Sequence, residues 1–211
     1  MKLAAFFAQH GDEILRATIE HVWLVLWAML IAIAIGVPLG ILVTRRPWLS
    51  KPILGGANIA ETIPSLALFG FLLPVPWLGE RAERLAVVAL ALYALLPIIR
   101  NTATGITGVD PAVREAARGM GMTDRQILFQ VELPLSLSTV IAGVRVATVL
   151  TIGIATIASA VGAGGLGEFI FRGLAMVNNQ LILAGAIPAA LLALAADFGL
   201  ALLERRLRPA R

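Results

Sequence analysis

Residues 113–134, VREAARGMGMTDRQILFQVELP, form a polar segment in a chain that is otherwise largely apolar. Of its 211 residues, 59% are hydrophobic and 14% are charged. A soluble globular domain carries about 25% charged residues. This balance predicts a membrane protein, and the polar segment predicts a region that lies outside the bilayer.

Five apolar runs flank this segment on both sides, and each is long enough to cross a membrane. A helix needs about 20 mostly apolar residues for this. Glu61 and Pro64 interrupt the second run, but membrane helices tolerate proline when neighbouring groups satisfy the freed carbonyls. We therefore predict an all-α membrane protein with five transmembrane helices. The predicted spans are residues 19–43, 52–74, 84–106, 137–161 and 180–203.

Lysine and arginine are distributed unequally between the two sides of the predicted bundle. Eleven follow the first, third and fifth spans, five lie on the other side, and Arg145 lies within the fourth span. Because short cytoplasmic loops carry the excess of positive charge, we predict that the N-terminus is outside and the C-terminus is inside. Residues 1–17 are then an external amphipathic segment, residues 110–134 are cytoplasmic, and residues 204–211 are a basic cytoplasmic tail.

Residues 110–134 carry the signals of two short helices joined by a turn, and we call them the knob. Asp110 suits an N-cap and Pro111 suits the first helical position. Gly121 can end this helix in a left-handed conformation. Thr123 is predicted to be the N-cap of a second helix. Pro134 follows that helix and leads back to the membrane. A plain solvated loop is the alternative, but it would not need these signals in order.

Residues of the knob resemble the EAA signature of ABC-importer permeases. The matching residues are Glu115, Ala116, Ala117, Gly121, Leu133 and Pro134. Val131 stands where the family usually has Ile. The resemblance extends over about residues 18–203 and implies the type-1 importer fold of the methionine permeases, in which this segment is a coupling helix pair that docks on a cytoplasmic ATPase.

The same resemblance implies the partners of the chain. ATP and Mg²⁺ would be bound by the ATPase subunits, so no cofactor is expected in this chain. An external substrate-binding protein would select the cargo, and a second copy or a paralogue would complete the pore. The protein would lie in a bacterial cytoplasmic membrane, in contact with lipid.

Three further stretches resemble the osmoprotectant branch of these permeases. They are ETIPSLALFGFLLP (61–74), LYALLPIIRNTATGITGVDP (92–111) and VGAGGLGEFIFRG (161–173). The resemblance implies import of glycine betaine, choline, carnitine or a related compatible solute. Methionine or another amino acid is the alternative cargo. An ion-coupled secondary transporter is the alternative from another class, but it requires an inverted repeat, and the flanks of Pro64 and Pro188 are only loosely alike.

Charged and kinked positions inside the spans are candidates for a gate. A lone charge at the bilayer centre costs about 2.5–3.5 kcal/mol. Glu61 and Arg145 fall at a similar depth, roughly 13 Å from the cytoplasmic ends of their spans at 1.5 Å per residue. We hypothesise that these two side chains lie near one another or near the dimer axis; alternatively, both are merely tolerated. Pro64 and Ser65 are further candidates for the pathway.

The glycine loop, residues 162–167 with the sequence GAGGLG, carries Gly162, Gly164, Gly165 and Gly167. It contains the G-x-G-x-x-G spacing but not the strand and the distant acidic residue of a dinucleotide site. A flexible external re-entrant loop and a tight turn both remain open, because glycine permits either.

The sequence lacks the residues that several classes of function require. The chain has no cysteine and only two histidines, too few for a metal site. It has no phosphate-binding G-x-x-x-x-G-K-[ST] loop and no grouping of a nucleophile with a base, so we predict that it is not an enzyme. The chain has only two lysines, so it lacks the clustered positive charges of a nucleic-acid-binding surface. No aromatic cluster is evident in the spans, so a cation–π cage for a quaternary ammonium group is expected in the binding protein instead.

Overall fold

The computed structural model describes residues 3–207, and all regular structure within them is helical. The helices are α1 (Leu3–Gln9), α2 (Gly11–Arg45), α3 (Pro47–Thr62), α4 (Ser65–Leu72), α5 (Ala82–Thr107), α6 (Pro111–Gly119), α7 (Asp124–Ile127), α8 (Leu133–Ala158), α9 (Gly167–Ala175) and α10 (Asn179–Arg206). The predicted all-α fold is confirmed.

Four continuous helices are long and apolar enough to cross a membrane. They are α2, α5, the 38-residue helix Asp124–Val161 that contains α8, and α10. The predicted N-terminal amphipathic segment is not one helix. It breaks at His10, and residues 11–17 continue into the first span as part of α2. Residues 1–2 of that segment and residues 208–211 of the basic tail lie outside the described residues.

The predicted second span corresponds to α3 and α4 together, a pair that meets at an angle of 103° and brings the number of possible spans to five. The break falls at Pro64, one of the two residues that interrupted the run in the sequence. Proline disfavours a helical conformation in the residue before it, and Ile63 is extended (φ −67°, ψ 129°). The hydroxyl of Tyr93 on α5 donates a hydrogen bond to the Ile63 carbonyl, which satisfies an acceptor that the broken helix leaves free.

The core lies around α5, which packs between α2 and α8. Its apolar side chains include the fully buried Leu85, Leu90 and Ile98. Glycines allow its neighbours to approach closely, as small residues do in membrane helices. A Cβ at Gly40 of α2 would lie 2.5 Å from Cβ of Thr102. This packing holds the ends of α2 and α5 together next to the knob.

Candidate functional site

The first helix of the knob has the predicted capping. The Asp110 carboxylate accepts a hydrogen bond from the Ala112 N–H at 2.8 Å, with Pro111 in the first turn. Gly121 is left-handed with φ +82°, a conformation that disfavours side chains with a Cβ. The predicted cap and turn are confirmed.

The second helix of the knob begins at a capping box. The Thr123 hydroxyl accepts a hydrogen bond from the Gln126 N–H at 3.4 Å, and the Gln126 side chain accepts one from the Thr123 N–H at 2.8 Å. Such reciprocal bonds satisfy two otherwise unpaired donors at a helix start. The predicted cap at Thr123 is therefore confirmed.

The knob continues into the fourth span without a break at Pro134. A π-helical stretch, Leu128–Glu132, joins α7 directly to α8, and Pro134 lies in the first turn of α8. Proline usually breaks a helix because its ring clashes with the carbonyl four residues earlier. The wider π turn just before Pro134 gives that ring room. The second knob helix and the fourth span are thus one continuous helix.

A buried carboxylate, which the sequence analysis missed, ties the knob to the bundle. Glu132, with a side chain 1% exposed, forms an ion pair with Arg45 at the end of α2. Arg114 of α6 lies 4.0 Å from its other oxygen. Arg114 also donates hydrogen bonds to the carbonyls of Thr107 at 3.2 Å and Val109 at 2.6 Å. We call Arg45, Arg114 and Glu132 the Glu132 cluster.

The Glu132 cluster joins four segments: the ends of α2 and α5, the knob helix α6, and the start of α8. The sequence does contain a signal for it. Glu132 continues the apolar stripe of Leu128 and Val131 at helical spacing, so it falls on the face that packs inward. A charge on an inward face requires partners.

The EAA residues divide between an outer and an inner surface of the knob. Glu115, Ala116 and Gly121 are exposed, whereas Ala117 is 2% exposed and packs within the protein. Leu133 is half-buried and Pro134 is exposed. The exposed surface also carries two large apolar side chains that the sequence analysis did not single out, Met120 and Phe129.

The hypothesis that Glu61 and Arg145 pair is wrong. Arg145 forms hydrogen-bonded ion pairs with Asp197, at 2.6 Å from Nε to Oδ1, and with Glu204, at 3.2 Å from Nη1 to Oε2. The physical reason is packing: Asp197 and Glu204 lie on α10, which packs directly against α8, whereas Glu61 lies on α3, which packs against α5 and α2. Among residues 3–207, no ion pair of Glu61 is recorded.

Asp197 was overlooked as a charge within the fifth span. It lies seven residues before Glu204, and residues seven apart lie on the same face of a helix. The two carboxylates of α10 therefore reach one arginine of α8. The other gate candidates, Pro64 and Ser65, lie together at the bend between α3 and α4.

The glycine loop is a compact turn. Gly162, Gly164 and Gly165 have φ values of 84°, 81° and 82°. The Gly165 N–H donates a hydrogen bond to the Glu20 carboxylate at 3.2 Å. Gly167 starts α9, and a Cβ there would lie 1.9 Å from a backbone carbonyl oxygen. The turn is thus fixed against α2 and α8.

A cavity of about 650 Å³ opens beside this turn, at the end of the bundle opposite the knob. Trp23 and Trp27 of α2 and Trp77 of the α4–α5 connection line it. The sequence analysis did not anticipate that these three tryptophans would line one cavity. The α2 pair could have been found from its spacing, because residues four apart share a helix face. Trp77, about fifty positions away, gives no such signal.

Comparison with known proteins identifies the family and the fold of the chain. The family described as "Binding-protein-dependent transport system inner membrane component" matches residues 36–209. The carnitine transport permease protein OpuCB of Listeria monocytogenes is 45% identical over 207 residues, with 98% of this chain and 94% of that protein covered. The osmoprotectant import permease protein OsmW of Salmonella typhimurium is 45% identical over 206 residues, with 97% and 96% covered. The choline transport system permease protein OpuBB of Bacillus subtilis is 41% identical over 208 residues, with 99% and 94% covered.

A solved structure shows the same fold at lower sequence identity. The inward-facing MetNI methionine ABC transporter has a chain that superposes with a TM-score of 0.84 at 24% identity, covering 94% of this chain and 96% of that one.

Proposed function

The chain belongs to the family of binding-protein-dependent transport system inner membrane components, and we propose that it is the membrane-spanning subunit of an ATP-driven osmoprotectant importer. It moves glycine betaine, choline, carnitine or a related compatible solute inward. The observation that supports this cargo most directly is the 41–45% identity, over nearly the whole chain, to permeases named for carnitine, choline and osmoprotectants. The methionine transporter shares the fold at only 24% identity.

The knob is the docking site for a cytoplasmic ATPase, which binds ATP and Mg²⁺ while this chain remains a transport subunit. Its exposed surface combines the Glu115 carboxylate with Met120, which is 76% exposed, and Phe129, which is 63% exposed. A polar rim around apolar side chains is what a protein interface presents. Closure of the ATPases moves the knob, and the Glu132 cluster passes this movement to α2, α5 and α8.

The knob faces the cytoplasm and the N-terminus lies outside, as the excess of lysine and arginine near the knob and the C-terminus indicates. The opposite end of the bundle then receives an external substrate-binding protein, with the compact glycine loop beside its docking surface.

A second copy of the chain or a paralogue completes the pathway. Supporting this, only Ala57 is buried among the 16 residues of α3, and eight of them are exposed. The bend at Pro64 and Ser65, next to this helix, is the gate. Glu61, also on α3, faces the pathway or the dimer axis.

Uptake by the reconstituted transporter tests the proposal. The permease, its ATPase and its binding protein are placed in proteoliposomes with ATP, and uptake of labelled glycine betaine, choline, carnitine and methionine is measured. We expect uptake of at least one quaternary ammonium solute and none of methionine. A complex with an inactivated ATPase is the control. Uptake of methionine alone, or uptake driven by an ion gradient without ATP, would contradict the proposal.

A further inference from the structure

We propose that the cavity lined by Trp23, Trp27 and Trp77 is a binding site on the permease itself for a quaternary ammonium cation, with choline as its best ligand. This inference rests on the proposed function for the solute class and on the structure for the site. The cavity is distinct from the knob and from the bend at Pro64.

The size and the walls of the cavity suit a small organic ligand. Its volume of about 650 Å³ lies within the roughly 300–1,000 Å³ of small-molecule sites. The rings of Trp23 and Trp27 have centroids 5.4 Å apart and meet at 84°. Their exposed fractions are 58% and 44%, and that of Trp77 is 60%. Three indoles thus surround one concave surface without filling it.

The charges of the lining favour a cation. Glu20, Glu83 and Glu168 line the cavity together with one arginine, Arg84, so three carboxylates oppose one guanidinium. Indole faces attract cations through their quadrupole, and recognition of quaternary ammonium groups is a common use of this attraction. The surplus of negative charge disfavours the added carboxylate of a zwitterion. We therefore expect choline to bind more tightly than glycine betaine.

One ring of the cavity already holds a cation. The Arg84 guanidinium lies over the Trp77 ring at 5.7 Å from its centroid. Trp77 has φ +75°, a conformation rare for bulky residues. Glu20 holds the glycine loop through the Gly165 N–H, so this part of the wall is fixed. The indoles at a membrane surface often form an aromatic belt, but a belt alone does not require three carboxylates around one concavity.

Binding of labelled choline to the complex of permease and ATPase tests the site. The complex is placed in nanodiscs of phosphatidylglycerol without binding protein. Since a cation–π contact is worth roughly 0.5–2 kcal/mol, we expect Trp27→Leu to weaken choline binding by about 2- to 30-fold. Trp27→Phe, which keeps an aromatic face, should have a smaller effect. Trp48→Leu is the matched control, because Trp48 is 73% exposed and lies at the other end of the bundle.

A second probe separates charge from shape. The neutral choline isostere 3,3-dimethylbutanol should fail to compete with choline, and Glu83→Gln should weaken choline binding. Equal competition by the isostere, or equal effects of Trp27→Leu and Trp48→Leu, would overturn the proposal. If adding phosphatidylcholine to the discs abolishes choline binding, the occupant is a lipid headgroup and the assignment to a free solute is wrong.

Failure of this inference is distinguishable from failure of the proposed function. If the wild-type complex, given its binding protein, imports choline or glycine betaine but does not bind choline without it, the cavity proposal fails and the function stands. If no quaternary ammonium solute is imported, the proposed function fails whatever the cavity binds.

Discussion

Replacing the buried Glu132 carboxylate by Gln tests whether the knob and the bundle move as one body. Breaking a buried ion pair costs about 3–5 kcal/mol when the remaining charge stays buried. Here the Arg45 and Arg114 side chains are 36% and 27% exposed, so water recovers part of that loss, and Gln keeps one acceptor. We therefore expect the contacts of α2 and α6 with the start of α8 to weaken by about 1–3 kcal/mol. Such a change raises the population in which α6 and α2 are released from Glu132 by about 5- to 150-fold.

The assay is the number of ATP molecules hydrolysed per solute imported by the reconstituted transporter. The first knob helix, α6, still docks on the ATPase, but without the Glu132 contacts its movement no longer passes to α2 and α8, so Glu132→Gln should raise this ratio severalfold while ATP hydrolysis continues. Glu80→Gln is the control, since Glu80 is an exposed glutamate at the other end of the bundle.

The combination of Glu132→Gln with Arg45→Gln completes a double-mutant cycle. Because the two residues act through one contact, the double variant should be little worse than Glu132→Gln alone. An unchanged ratio of ATP to solute, accompanied only by a lower thermal stability of the complex, would refute the reasoning and leave Glu132 a purely structural residue.

Three further changes address other parts of the structure. Gly121→Val should uncouple ATP hydrolysis from uptake, because valine destabilises the left-handed turn by about 1–2 kcal/mol. The space around Gly121 is open, so no steric clash adds to this strain, and normal uptake by the variant would contradict the proposed role of the turn. Arg145→Gln should lower the amount of folded permease in the membrane, measured by detergent extraction, since Asp197 and Glu204 lose their common partner, and Arg145→Lys should restore part of it. Gly167→Ala should abolish folded protein in the same extraction, because its Cβ would lie 1.9 Å from a carbonyl oxygen, and a stable variant would show that the turn can shift.

Local signals made the knob predictable. Asp110, Gly121 and Thr123 act on backbone groups within a few residues of themselves, so their roles can be read from the chain. Proline was harder to interpret. Pro64 breaks its helix, whereas Pro134 does not, and the difference depends on the π turn that precedes Pro134 and on whether other segments satisfy the freed groups.

Contacts between distant segments were not predictable in the same way. Glu61 and Arg145 matched in depth, but depth does not say which helices are neighbours, and the packing of α8 against α10 placed Arg145 with Asp197 instead. Similarly, Trp77 joins Trp23 only through the tertiary fold. For the Glu132 cluster, the sequence could predict that a buried carboxylate needs a partner, but not that the partners are Arg45 and Arg114.

The unbroken helix from Asp124 to Val161 is a rigid element that connects the knob to the opposite end of the bundle. Its 38 residues correspond to about 57 Å at 1.5 Å per residue, with the π turn as its only wide point. A tilt of about 5° at the end that carries the knob would move the far end by about 5 Å over that length, the scale of one helical turn. A flexible hinge at Pro134 would have absorbed such a stroke. Without such a hinge, a movement of the knob is transmitted along the helix to the opposite end of the bundle with little loss.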